Sequence, residues 1–410
     1  MRRRARIRSR LFGRRVGFTP ACPSRRTSAS MSRVSETNRT NETGGHVSSS
    51  RAPTQQPTRC RVCPVGRRIP RLLRNALILW TTVCPRPSDW EPFFSFPTAQ
   101  AQSHSAKAHR LGGFDLKRSL IPRNEIRQGG PGKDGIPSLT EPRFLSPSKA
   151  SFLKADDRVI GVAIGREARA YPLRILDWHE AVNDRMGGIP LLVTYCPLCD
   201  SAAVFDRRTS AGELQFGISG LLYNNNVLLY DRTESGDESL WSQMMAQAVS
   251  GPRAGQRLKV LPCELTLWNN WKTRYPHTLV LSTDTGYRRV YSASPYAMYF
   301  RHNRLMFPIK PIDKRLPLKT PVLGVWVGPK ARAYPLSAFD PDDKPVRLGQ
   351  ELDGARFTVV YDPVARSLRV EKAGPRVRWM YAFWFAWYAF HPETDLFASS
   401  TARRGAARSR

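Results

Sequence analysis

One segment of this chain is written twice, and only one copy carries cysteines. Val159-Ile-Gly-Val-Ala-Ile-Gly-Arg-Glu-Ala-Arg-Ala-Tyr-Pro-Leu173 returns as Val322-Leu-Gly-Val-Trp-Val-Gly-Pro-Lys-Ala-Arg-Ala-Tyr-Pro-Leu336. Each copy is followed by an apolar run that ends in tyrosine. The first run enters a dithiol, Leu191-Leu-Val-Thr-Tyr-Cys-Pro-Leu-Cys-Asp200, and the second a plain turn, Phe357-Thr-Val-Val-Tyr-Asp-Pro-Val364. Tyr195 aligns with Tyr361, Cys196 with Asp362 and Pro197 with Pro363. Two copies are too few for a solenoid. They predict two related β-units, about 159–205 and 322–370, packed into one domain.

Local signals agree with a β-rich α+β fold that has few short helices. Val159–Ile164 and Ala168–Tyr171 read as a hairpin. Leu191–Tyr195 and Ala202–Phe205 read as strands flanking the dithiol. Leu214–Ser219 and Val227–Tyr230 form a further pair, with Asn224-Asn-Asn226 suited to the turn between them. Leu258–Leu261 and Thr278–Ser282 are short strands. Helix-like stretches are Leu173–Val182 and Leu265–Tyr275, the latter stopped by Pro276. The apolar run 381–390 is too short to span a bilayer and reads as a buried core element.

The formal charge of +32 suggests a nucleic-acid binder until it is located. Residues 1–86 hold 20 arginines, no lysine and only Glu36 and Glu42, and the last ten residues add four arginines. The stretch 87–400 is left with +10, a mild excess for its length. No nucleic-acid partner is therefore expected. Residues 1–70 lack apolar periodicity and read as disordered. A basic arm, a transit peptide, or translation from GC-rich sequence ahead of the true start would each produce such a stretch; the last is the favoured reading.

At 71–101, arginines precede Asn75-Ala-Leu-Ile-Leu-Trp-Thr-Thr-Val-Cys84, and Ala99-Gln-Ala101 follows. That is the order of a secretory signal peptide. It predicts an extracytoplasmic protein whose only membrane association is a leader or anchor. Residues 102–112 read as a linker, 113–397 as the folded domain and 398–410 as a disordered basic tail.

Beyond any leader the cysteines are Cys196, Cys199 and Cys263. A Cys-x-x-Cys pair serves metal chelation, thiol redox chemistry or a local disulfide. Redox pairs usually open a helix, whose N-terminus favours the thiolate. The second copy instead reads strand, turn, strand, which makes Cys196-Pro-Leu-Cys199 a hairpin turn able to aim both sulfurs at one ion. Two further ligands would complete a tetrahedral site. His179 stands in the armed copy alone, His391 directly follows the Trp-rich run, and Cys263 is a third candidate. The expected ion is zinc or copper, with iron also compatible. Glu180 is placed to act as general base on a metal-bound water. The alternatives are a thiol–disulfide protein using Cys196 and Cys199, and a non-catalytic module binding a small molecule or protein. Asp231, Arg232, Trp241, Ser242 and Gln243 could line a pocket or serve the core.

The string Trp178-His-Glu, Asn183-Asp, Thr194-Tyr-Cys-Pro-Leu-Cys199, Gly217-Ile-Ser-Gly-Leu-Leu-Tyr223, Tyr230-Asp-Arg232, Ser239-Leu-Trp-Ser-Gln243 and Phe383-Trp-Phe-Ala-Trp-Tyr-Ala-Phe-His391 resembles a prokaryotic family catalogued as domain of unknown function 3179. The resemblance covers about Gly113 to Phe397. It implies an exported or membrane-attached protein, with His179, Cys196, Cys199 and His391 as matching residues. It implies no reaction. Asp200 departs from the small residue that members commonly carry after the dithiol.

Overall fold

The computed structural model describes residues 110–398, apart from 211, 341 and 343. The arginine-rich stretch 1–70, the leader pattern at 71–101, Cys22, Cys60, Cys63, Cys84 and the basic tail beyond 398 lie outside the described residues. The described chain is β-rich, and its four α-helices are at most seven residues long. None is long and apolar enough to cross a membrane.

The elements that position the site begin with the hairpin β1 (Arg158–Ile164) and β2 (Glu167–Pro172), followed by α1 (Leu173–His179). A meander follows: β3 (Ala181–Met186), β4 (Ile189–Cys196) and β5 (Ser201–Asp206). A second hairpin comprises β6 (Phe216–Tyr223) and β7 (Asn226–Asp231), flanked by β8 (Leu240–Ser242) and β9 (Gln247–Ser250). Then come β10 (Glu264–Leu267), α2 (Trp268–Arg274) and β11 (Leu279–Leu281), with α3 (Ala297–Arg301) in a long irregular segment. The remainder is β12 (Pro321–Val327), β13 (Lys330–Pro335), β14 (Val346–Leu352), β15 (Ala355–Asp362), β16 (Ser367–Glu371), β17 (Arg378–Phe383), α4 (Trp384–Phe390) and β18 (Asp395–Leu396).

Two groups of these elements share one arrangement. Strands run β10-β1-β2-β11 in one sheet and β17-β12-β13-β18 in another, with the last pair parallel in each. The helix after β10 lays Trp271 over Gly161, and the helix after β17 lays Trp387 over Gly324. A Cβ on either glycine would stand 2.3 or 2.2 Å from indole carbons. The indole N–H of each tryptophan donates at 3.0 Å to a threonine seven residues on, Thr278 and Thr394. Three-stranded meanders follow both hairpins, and their second turns agree. Cys196 pairs with Ser201 as Asp362 pairs with Ser367, and Asp200 and Arg366 are both left-handed, φ 46° and 44°.

The two groups meet through reciprocal contacts. Ala202 of β5 pairs with Tyr381 of β17, and Thr266 of β10 bonds Ser367 of β16 through hydroxyls 3.2 Å apart. One sheet therefore runs through both groups, and two large apolar clusters pack on either side of it.

Local signals and structure differ in two places. The helix expected to reach Val182 stops at His179, because Glu180 turns left-handed (φ 54°) and Ala181 begins pairing with Thr194 of β4. The helix expected from Leu265 starts at Trp268, because β10 gains more by closing the sheet edge on β1. Tertiary pairing overrides local periodicity in both.

Candidate dithiol site

Cys196 and Cys199 occupy the turn between β4 and β5. Cys199 N–H donates to the Cys196 carbonyl at 3.2 Å, and Asp200 closes the loop in the left-handed region. The expected hairpin geometry is thus present. Both thiols are buried, 1% and 0% exposed, and neither forms a disulfide.

They converge on the tip of the neighbouring hairpin. Asn224 and Asn225 are both left-handed (φ 47° and 64°), the conformation of a two-residue type I′ loop, and Asn is among the few residues that tolerate it. This turn presents the Asn225 carbonyl to the sulfurs, 3.1 Å from Cys199 Sγ and 3.9 Å from Cys196 Sγ. The Asn225 carboxamide itself is buried and makes no hydrogen bond of normal length.

A polar network anchors the two turns to each other. Asn226 donates to Ser201 Oγ (3.1 Å) and Gln243 Oε1 (2.8 Å), and Ser201 donates to the same Gln243 oxygen at 2.6 Å. Gln243 Nε2 donates to Thr194 Oγ1 (2.9 Å), whose own hydroxyl donates to Ala203 O at 2.8 Å. All of these side chains are buried, so the network specifies the geometry of the dithiol turn. This is the role of Gln243. The neighbouring Asp231 accepts from Ser239 N–H (2.6 Å) and Trp241 Nε1 (3.2 Å) and pairs with Arg253 (2.6 Å), which makes it a core residue.

Glu180 is the third chemical group. Its strained C-cap position lets its carbonyl accept the Tyr195 N–H at 2.8 Å, which sets it beside the end of β4. A left-handed residue with a Cβ costs roughly 1–2 kcal/mol, so the surrounding contacts must hold it there. The carboxyl is buried, accepts from Tyr296 OH at 3.1 Å, and feels the charge of Cys196. Burial, and then the Cys196 thiolate, push its pKa well above the carboxylate range.

The thiols are unequal. Burial opposes ionisation of Cys196, but hydrogen bonds from Cys199 and from backbone N–H groups of Val227, Cys199 and Leu198 hold it below the usual thiol range. Burial and the Cys196 thiolate raise Cys199 well above that range. Above the pair, Tyr299 OH donates to the Leu198 carbonyl at 2.8 Å, and Lys319 donates to the Tyr299 carbonyl at 2.6 Å. Tyr296 and Tyr299 were not singled out in the sequence. Their spacing in Tyr296-Ala-Met-Tyr299 marks one helix face but not what that face covers.

The histidines lie elsewhere. His179 Nδ1–H donates to Pro137 O and Nε2 accepts from Tyr291 OH, both at 2.7 Å, and Thr285 lies 2.6 Å from that hydroxyl. Both ring nitrogens are thus engaged, and burial lowers its pKa to about 4. His391 caps α4 and stacks on Trp387, ring centres 4.0 Å apart, as Tyr275 stacks on Trp271 at 4.2 Å. Cys263 packs in the core, where burial raises its thiol to about 12. Among the described residues no group of three or more His, Cys, Asp and Glu side chains could hold a metal ion. The structure brings together Cys196, Cys199 and Glu180, not the four predicted ligands.

His391 yields a stability prediction. Burial lowers its pKa from 6.5 to about 4, so the unfolded chain takes up a proton between those values and the folded chain does not. Its contribution to stability therefore falls as pH drops from 6.5 towards 4. His391→Tyr, the residue of the matching helix, is expected to relieve this. Relative to the unsubstituted protein, unfolding free energies from urea titration should move in the variant's favour by about 2 kcal/mol on going from neutral pH to about pH 5. A constant difference across pH would contradict the assignment.

Fold and site together define a β-rich protein built around a buried, asymmetric dithiol turn. Residues 133–373 match the family model described as Protein of unknown function (DUF3179), and the chain belongs to that family. No curated protein and no solved structure matches it.

Proposed function

We propose that the protein is a thiol–disulfide redox protein, with Cys196 as nucleophile, Cys199 as resolving thiol and Glu180 as proton donor. The supporting observation is the convergence of two buried thiols on the Asn225 carbonyl, with the buried Glu180 carboxyl, its proton affinity raised, beside the more acidic one. Cys196 thiolate attacks a partner disulfide, forming a mixed disulfide and releasing one partner thiolate. Loss of charge at Cys196 then lowers the Glu180 pKa, and the carboxyl protonates that leaving group. Cys199 gives its proton to the Glu180 carboxylate and attacks Cys196 sulfur, releasing the second partner thiolate, which takes a proton from solvent. One disulfide is reduced and one formed. Both thiols are buried, so a partner reaches Cys196 only when the turn opens to solvent.

We take the two like arrangements as copies of one unit, armed only in the first. The expected setting is extracytoplasmic, where disulfides persist; the leader pattern at 71–101 supports it. A second reading, chelation of a thiophilic ion such as copper or zinc, is supported by the same convergence of sulfurs, because two thiolates suit such ions.

Equilibration in glutathione buffers, with mass mapping of the peptide carrying Cys196 and Cys199, tests the first reading. A reversible bridge between them is the expected result. Metal analysis of anaerobically purified protein beside Cys196→Ser tests the second. Stoichiometric metal lost in the variant, with no reversible bridge in the parent, would replace the first reading by the second.

A further inference from the structure

A cavity of about 540 Å³ opens next to the dithiol turn, where the two groups of elements meet. Its volume lies in the range of small-molecule sites. Its apolar wall comes from both groups and includes Leu265, Val322, Leu368 and Phe383, with Phe300 of α3 contributing from the long segment. Its charged lining is one-sided. Arg158 is neutralised by Asp200 through hydrogen bonds of 3.0 and 2.9 Å. Lys319 has no carboxylate partner among the described residues: its ammonium donates to the carbonyls of Tyr299 and His302 and lies over the Tyr299 ring, 3.3 Å from its centre. Arg366 is exposed and has no ion pair or side-chain hydrogen bond among the described residues. Among the described residues Asp200 is the only carboxylate in the lining, so Lys319 and the exposed Arg366 stand at the chamber without an acidic partner.

We infer that this cavity binds a small organic anion, with a carboxylate or phosphate head held by Lys319 and Arg366 and an apolar body against the wall. A charge-assisted hydrogen bond to each cation would fix the head, and the apolar wall would exclude ions lacking a body. The site is separate from the thiols, which do not line it. It stays coupled to their turn through Asp200 and through Phe383 N–H, which donates to the Cys199 carbonyl at 2.7 Å.

The test is calorimetric titration of the protein with octanoate, octanol and inorganic phosphate, and sedimentation with phosphatidylglycerol vesicles. Octanoate is expected to bind, with octanol and phosphate each weaker by roughly tenfold. Arg366→Gln and Lys319→Gln should each weaken octanoate by a similar factor. Arg366 is exposed and unpaired, so its variant is expected to fold as the parent does. No heat with octanoate, unchanged affinity in both variants, or phosphate binding as tightly as octanoate would overturn the inference. So would vesicle capture without any response to octanoate. Failure of the redox titration leaves this site untouched, since no thiol lines it.

Discussion

Cys199→Ser is expected to trap Cys196 in a stable mixed disulfide, and Cys196→Ser to leave a nearly unreactive thiol. The difference follows from the hydrogen bonding of the turn. The serine introduced by Cys199→Ser still has a hydroxyl to donate, so Cys196 stays acidic but loses the thiol that would resolve its mixed disulfide. In Cys196→Ser the remaining thiol keeps the burial that raises it above the usual range. Each unit between the two pKa values changes the thiolate fraction about tenfold. Iodoacetamide labelling near neutral pH, followed on the peptide carrying both positions, should therefore run roughly tenfold or more faster in Cys199→Ser than in Cys196→Ser. Intact mass after exposure to oxidised glutathione should show an adduct that persists in Cys199→Ser and resolves in the parent. Equal labelling rates would mean that the turn does not polarise the pair.

Gly161→Ala and Gly324→Ala are expected to destabilise the fold heavily and by similar amounts. At both positions an added methyl would meet the face of a buried indole at less than van der Waals distance. The indoles cannot retreat easily, because Trp271 and Trp387 are each held by a threonine and stacked on Tyr275 or His391. Overpacking of this kind costs about 1–3 kcal/mol, and a clash this close falls at the upper end. Gly349→Ala, where nothing lies within 4 Å, serves as the control. A loss in thermal midpoint no larger than that of the control would show that the sheets yield, and would weaken the view that the two tryptophans clamp equivalent hairpins.

The parts of the fold legible in sequence are those with short-range causes. Short apolar runs bounded by turn residues announced β1, β4 and β15. The left-handed tolerance of asparagine announced the β6–β7 turn. Matching turn residues in the two segments announced a hairpin at Cys196-Pro-Leu-Cys199. The site was legible only as far as its two sulfurs. Glu180 read as a general base for a metal-bound water, whereas β3–β4 pairing ends α1 there and the carboxyl is buried beside the thiols. His179 read as a ligand because nothing nearby in sequence announced Tyr291 as its partner. Tyr296 and Tyr299 arrive over the thiols from a segment with little regular structure, whose path no periodicity describes.

Residue order alone determined that this chain alternates strands and tight turns and that one bend carries two sulfurs, because pleating and turn preference act over a few neighbouring residues. Which groups surround those sulfurs was decided by the tertiary structure. Long-range pairing placed a carboxyl and an asparagine carbonyl at the thiols and drew both histidines into other contacts, and burial then set the proton affinities.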